Sequence, residues 1–351
     1  MTAADALLGV LFAAVTAYAL FGGADFGAGF WDLFAGGART GARTRKLIEH
    51  AIGPVWEANH VWLIFAVVLL WTGFPAVFAG VAATMYIPLT GAALGIIGRG
   101  AGFAFRKTST TLTQQRIFGA LFAFSSLVTP FFFGAVAGGI ASARVPPWTA
   151  GRGDLLTAWW NPTSVATGVL AVTVCAYLAA VFLCQDAKNH EPDLVPPMRR
   201  RALWAGAGAG VLAAVGLVAV ELDAGWLAER LWRPVPGALI VVSVLAGLAS
   251  IALLAAGRYV AVRVTAGLAV AAVLWGWAAA QYPYLLPPST TVAGTAAAPA
   301  VMRATLWAVL AGAVILTPSL WWLFRLFQRA PMSETRSLSD SSTRPVGGDR
   351  S

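Results

Sequence analysis

The chain has 351 residues, of which 58% are hydrophobic and only 11% charged, with a formal net charge of +9. A soluble domain carries about a quarter charged residues, so this composition excludes one and indicates a multi-pass, all-α membrane protein. The positive balance requires no nucleic acid, because Lys and Arg collect in the cytoplasmic loops of membrane proteins.

A hydrocarbon core about 30 Å thick takes roughly 20 apolar residues per helix, and that length predicts nine spans. The first covers 6–34. It lacks a basic leader, runs too long for a signal peptide and ends in acidic residues, so it is expected to remain as a membrane helix. The second and third cover 54–79 and 81–105, the fourth 114–142 and the fifth 162–186. Cys175 and Cys184 lie in this fifth span without CxxC spacing, which suggests apolar packing and neither a disulfide framework nor a zinc site. The sixth to ninth spans cover 201–222, 237–256, 259–280 and 302–327. Small residues crowd "LTGAALGIIGRG" and "AGAGAG" and predict close helix packing. In "QYPYLLPPSTT", residues 281–291, Pro283, Pro287 and Pro288 stop a helix, while Tyr282 and Tyr284 suit the headgroup layer. That stretch reads as a stiff interfacial loop, with Trp148, Trp159 and Trp160 in the same aromatic belt. Residues 1–330 are expected to form the membrane domain and 331–351, polar and aperiodic, a disordered cytoplasmic tail.

Loop charge sets the orientation. Eighteen Lys and Arg fall in the loops after the odd-numbered spans, among them Arg43, Arg45, Lys46, Arg106, Arg201 and Arg258. The opposite loops hold five: Arg144, Arg152, Arg230, Arg233 and Arg303. The N-terminus is therefore expected outside and the C-terminus in the cytoplasm.

With that topology, four ionisable residues lie inside the membrane at one depth, toward the cytoplasm. Asp25 sits in the inner half of the first span, within the glycine-rich "GGADFGAG". Glu57 and His60 occupy the first turns of the second, in "AIGPVWEANHVWLIF", three residues apart and so on one face. Arg99 lies about two turns above Arg106 in the third. Each costs roughly 2.5–3.5 kcal/mol at a helix centre, and Arg99 is placed to pair with Asp25 or Glu57. Trp56, Asn59 and Trp62 flank the site, and Asp32 is expected to be solvated near the surface. The group reads either as an ion-pair cluster that locks helices together or as a proton intake site. Three scattered histidines do not offer haem ligation.

The ordered set "GGADFGAGFWDL", "AIGPVWEANHVWLIF", "TGFPAVFA", "GRGAGFAFR" and "QYPYLLPPST" resembles subunit II of cytochrome bd-type quinol oxidases over residues 1–327, most closely over 20–107. The resemblance implies two four-helix bundles plus one peripheral helix in the bacterial plasma membrane. It implies a haem-free chain beside a haem-bearing subunit I that holds two b-type haems and haem d. The complex would oxidise quinol and reduce O2 to water, with membrane lipid, a quinone and small accessory subunits as further possible partners. Asp25 and Arg99 match family positions. Glu57 stands where many members carry aspartate, in a Trp-Asp-Gly-Asn pattern that here reads Trp56-Glu57-Ala58-Asn59, and His60 where many carry glutamate or glutamine. This implies a cytoplasmic proton path through Asp25 and Glu57, tuned by Arg99, with His60 as relay or neighbour. The competing readings are a proton-coupled secondary transporter and a purely structural partner subunit.

Overall fold

The computed structural model describes residues 2–37, 41–52, 56–147, 149 and 151–327. The long helices are α1 (Ala3–Leu33), α3 (Trp56–Gly73), α5 (Tyr86–Thr108), α6 (Leu112–Ala141), α7 (Pro162–His190), α8 (Val195–Asp223), α10 (Pro234–Ala255), α11 (Tyr259–Gln281) and α13 (Pro299–Phe327). Between them lie the shorter α2 (Ala42–Ile52), α4 (Pro75–Thr84), α9 (Gly225–Leu231) and α12 (Val292–Thr295). Among the described residues eight helices are long and apolar enough to cross a membrane, or nine if the bent pair α3–α4 is one span. Met1–Arg303 pack as one unit, while Ala304–Ser351 form a second that holds most of α13. The expected tail at 331–351 lies outside the described residues.

Local sequence explains several helix starts. Thr2 and Asp5 form a capping box on α1, which satisfies two of the amide donors that a helix start leaves open. Asn161 caps α7 through the amide of Ser164, and Pro162 takes the first turn, where a missing N–H costs nothing.

Three expectations change. The second span does not run straight to residue 79. It ends at Gly73, and α4 leaves at 117° with Pro75 in its first turn. Proline's ring and missing N–H disfavour continuing the helix through Gly73-Phe74-Pro75. Residues 42–52, expected as loop, form the amphipathic helix α2, with Leu47 and Ile48 buried in the core. The proline-rich stretch closes as a small antiparallel hairpin, β1 (Tyr284–Leu286) with β2 (Thr290–Thr291), whose Leu285 and Leu286 are buried.

Ion pairs and hydrogen bonds gather the loops at two ends of the first unit. At one end Arg43 reaches Glu191 and Asp193, Arg201 donates to the carbonyl of Phe34, Arg106 meets Glu49 and Arg199 meets the carbonyl of Ala255. The four inter-helix loops rich in basic residues thus share one end. At the other end Arg144 clamps Asp223, and the Tyr282 hydroxyl donates to Asp5.

Helix α7 is the centre of this unit. Leu178, Ala180, Val181, Leu183 and Cys184 are all buried, as expected of a helix that is apolar all round. Small residues set the approach of its neighbours. On α5, Gly91, Gly95, Gly98 and Gly102 face Phe132, Thr129, Ser125 and Phe118 of α6, leaving no room for a Cβ. The tightest point is Gly27 of α1, where a Cβ would fall 1.8 Å from the Cys175 carbonyl oxygen of α7. Alanine ordinarily favours a helix interior over glycine by about 1 kcal/mol. Gly27→Ala is nevertheless expected to lower the melting temperature and yield of the purified protein, because backbone cannot move aside as a flexible side chain can. Gly9→Ala, where nothing lies within 4 Å, is expected to leave melting unchanged or raise it.

Candidate functional site: a buried column of ion pairs

Arg99 is fully buried on α5, and Asp25 is buried opposite it on α1. The guanidinium grips the carboxylate with both arms. Nη1 donates to Oδ2 at 2.8 Å and Nη2 to Oδ1 at 2.8 Å, and Nη2 also reaches the Asp25 carbonyl at 3.0 Å. Nε donates to the Ser126 hydroxyl of α6 at 3.0 Å, which in turn donates to the Phe122 carbonyl. The flat faces of the cation lie near Phe26 and Phe122, 5.1 and 4.9 Å from their ring centres. An arginine cannot shed its charge, so burial is tolerable only with this density of partners.

A second layer lies two helical turns further along both helices, about 10 Å by helix rise. Arg106 donates to Asp32 at 2.6 Å and to Glu49 of α2 at 2.8 Å. Arg45 of α2 brings its Nε within 3.0 Å of the other Asp32 oxygen. Asp32 is therefore buried, not solvated, because α2 folds over it. Hydropathy alone does not reveal this partner, because 42–52 reads as loop. The seven-residue spacing common to Asp25–Asp32 and Arg99–Arg106 was the available signal, since it puts each pair on one helix face. Glu49, partly open to solvent, joins this outer layer.

The remaining expected residues fall around the inner pair. Asn59 is buried on α3 and donates to the Phe21 carbonyl at 3.2 Å. His60, half-buried, sets its ring edge-on to Tyr18 and Phe26, each 6.2 Å away between centres. Trp62 is half-buried on the same helix. Trp56 and Glu57 occupy the first turn of α3; their side chains lie outside the described residues. The structure thus joins Asp25 to Arg99 directly and brings Asn59 and His60 to the same face of α1.

These residues do not fit haem. His50 and His190 are exposed and meet edge to face, 4.9 Å apart between ring centres, and His60 is packed among aromatic rings. Two open apolar cavities of about 350 and 280 Å³ are lined by residues such as Leu178, Phe182 and Leu268 in one and Leu127, Phe131 and Val172 in the other, with no histidine in either. No group of three or more His, Cys, Asp or Glu that would hold a metal ion occurs among the described residues.

A helical, multi-pass membrane protein with paired charges stacked between its first and third spans is the class these features define. The chain belongs to the cytochrome bd terminal oxidase subunit II family, which it matches over residues 4–327, and it is accordingly a bacterial membrane protein of respiratory type. It is similar to a cytochrome bd ubiquinol oxidase subunit 2 of Bacillus subtilis (strain 168), 32% identical over 114 residues, covering 32% of this chain and 33% of that protein. A putative cytochrome bd menaquinol oxidase subunit II of the same organism is 22% identical over 340 residues, 93% and 96% of the two chains. The cytochrome bd-I ubiquinol oxidase subunit 2 of Escherichia coli (strain K12) is 26% identical over 186 residues, half of this chain and 46% of that one. The first and third matches thus span less than half of those relatives. The fold is shared with a chain of the bd oxidase from Geobacillus thermodenitrificans, with a TM-score of 0.78 and 24% identity over 93% of this chain and 99% of that one.

Removing one member of the inner pair leaves an unpaired buried charge, which costs about 3–5 kcal/mol. Asp25→Asn is expected to lower the melting temperature of the purified protein sharply. Asp25→Asn combined with Arg99→Gln should recover part of that loss, since no charge is then left stranded. A double variant no more stable than Asp25→Asn alone would mean that the pair is not the source of the loss.

Proposed function

We propose that this chain is the haem-free partner of a haem-bearing subunit I in a quinol:O2 oxidoreductase, which it stabilises and to which it supplies part of the cytoplasmic proton intake. The haems of the partner supply the O2 reduction; this chain handles protons. The observation that carries the reading is the column itself: acidic side chains layered from a basic, solvent-accessible end into the interior of a family member. Ionisable residues within membrane spans are costly and usually functional.

In this reading the basic end faces the cytoplasm, as its excess of Lys and Arg supports. Glu49 and Asp32, paired with Arg106 and Arg45, line the mouth. Glu57, in the first turn of α3, loads and releases them one layer in. Arg99 grips Asp25 with both arms, which fixes that carboxylate beside the route. His60 and Asn59 complete the polar face toward α3. A transporter reading is less well supported, because the charges crowd one end of the spans whereas coupling sites in transporters lie near the midplane.

Purification through this chain is expected to bring down a second membrane protein and the visible spectrum of haem d. A colourless single-chain preparation that moves a solute would favour a transporter. Glu57→Gln is expected to slow quinol-driven O2 consumption several-fold in a complex of normal haem content. Unchanged turnover in that fully assembled complex would reduce this chain to a structural partner.

A further inference from the structure

Tyr18 continues the column. It lies seven residues before Asp25, as Asp25 lies seven before Asp32, so the three side chains rise on one face of α1 at intervals of two turns. Its ring is caged edge-on by Phe26, His60 and Phe133, at 6.3, 6.2 and 5.9 Å between centres. Its hydroxyl is buried and has no hydrogen-bond partner among the described residues. On α5 the residue seven before Arg99 is Ala92, which is buried, so the ladder of arginines stops one layer short of Tyr18.

A phenylalanine would fill the same aromatic cage without burying an unsatisfied hydroxyl, which is a cost. A buried polar atom without a protein partner calls for an explanation in terms of water or chemistry. We propose that Tyr18 is the inner proton-relay group of this column, positioned to carry protons beyond the Asp25 layer toward the membrane interior. The step needs no change of charge at rest. A proton arriving through water on the Asp25 side binds the phenol oxygen as the existing O–H proton leaves on the far side; one O–H bond forms, one breaks, and the neutral phenol is restored. This inference rests on the proton-intake reading above and extends it by one residue.

The test is Tyr18→Phe in the intact complex, measured by haem content, melting temperature, quinol-driven O2 consumption and its solvent isotope effect. Because the hydroxyl has no hydrogen-bond partner among the described residues, haem content is expected to be normal and melting unchanged or higher. Turnover is expected to fall about fivefold or more, with a larger solvent isotope effect. Wild-type turnover and isotope effect would overturn the assignment. So would a loss of haem or of thermal stability, since the hydroxyl would then be structural. Glu57→Gln run alongside separates the two ideas. If it slows turnover and Tyr18→Phe does not, only the role of Tyr18 fails; if neither slows turnover, the intake reading fails with it.

Discussion

Burying one guanidinium organises this end of the protein. Arg99 cannot be neutralised, so the fold must bring it a carboxylate, a carbonyl and a hydroxyl in the same small volume. Asp25 supplies the first two from α1 and Ser126 the third from α6. That convergence requires bare backbone around the pair. A Cβ on Gly29 would lie 2.1 Å from the Ser126 hydroxyl oxygen, and one on Gly27 would strike α7. The glycines around Asp25 weaken α1 as an isolated helix, yet they let two neighbours close over the charge. Packing and electrostatics are thus one constraint here: without the close approach the charge would stay wet, and without the pair the approach would bury it uncompensated.

The same logic explains what could be read from the sequence. Where a span is a continuous apolar run with polar flanks, its limits were legible to within a few residues: 114–142 was expected for Leu112–Ala141, and 259–280 for Tyr259–Gln281. The pairing of Asp25 with Arg99 was legible as one of two options, because a lone arginine in hydrocarbon demands a nearby acid. The bend at Gly73–Pro75 was not, since both arms are equally apolar and hydropathy carries no direction. Nor was the burial of Asp32. A carboxylate at the end of a span normally meets water, and only α2, whose apolar stripe spans barely three turns, removes it from solvent. The hairpin at 284–291 was hidden for a similar reason: prolines and tyrosines mark a non-helical interfacial segment but do not say whether it pairs with itself.

Charge balance within the column separates its members by task. Asp25 and Arg99 cancel. Asp32 and Glu49 together face Arg106 and Arg45, and that layer cancels as well. Neither layer therefore holds a net charge that would draw a proton inward, and a proton added to Asp25 would have to displace Arg99 from a two-armed grip. On the proposed reading, loading falls to Glu57. Glu57 sits in the first turn of α3, where the helix dipole favours a negative side chain. On the same reading the ladder ends at Arg99: seven residues before it on α5 stands the buried Ala92, and on α1 the side chain at that level is Tyr18, proposed to pass a proton onward.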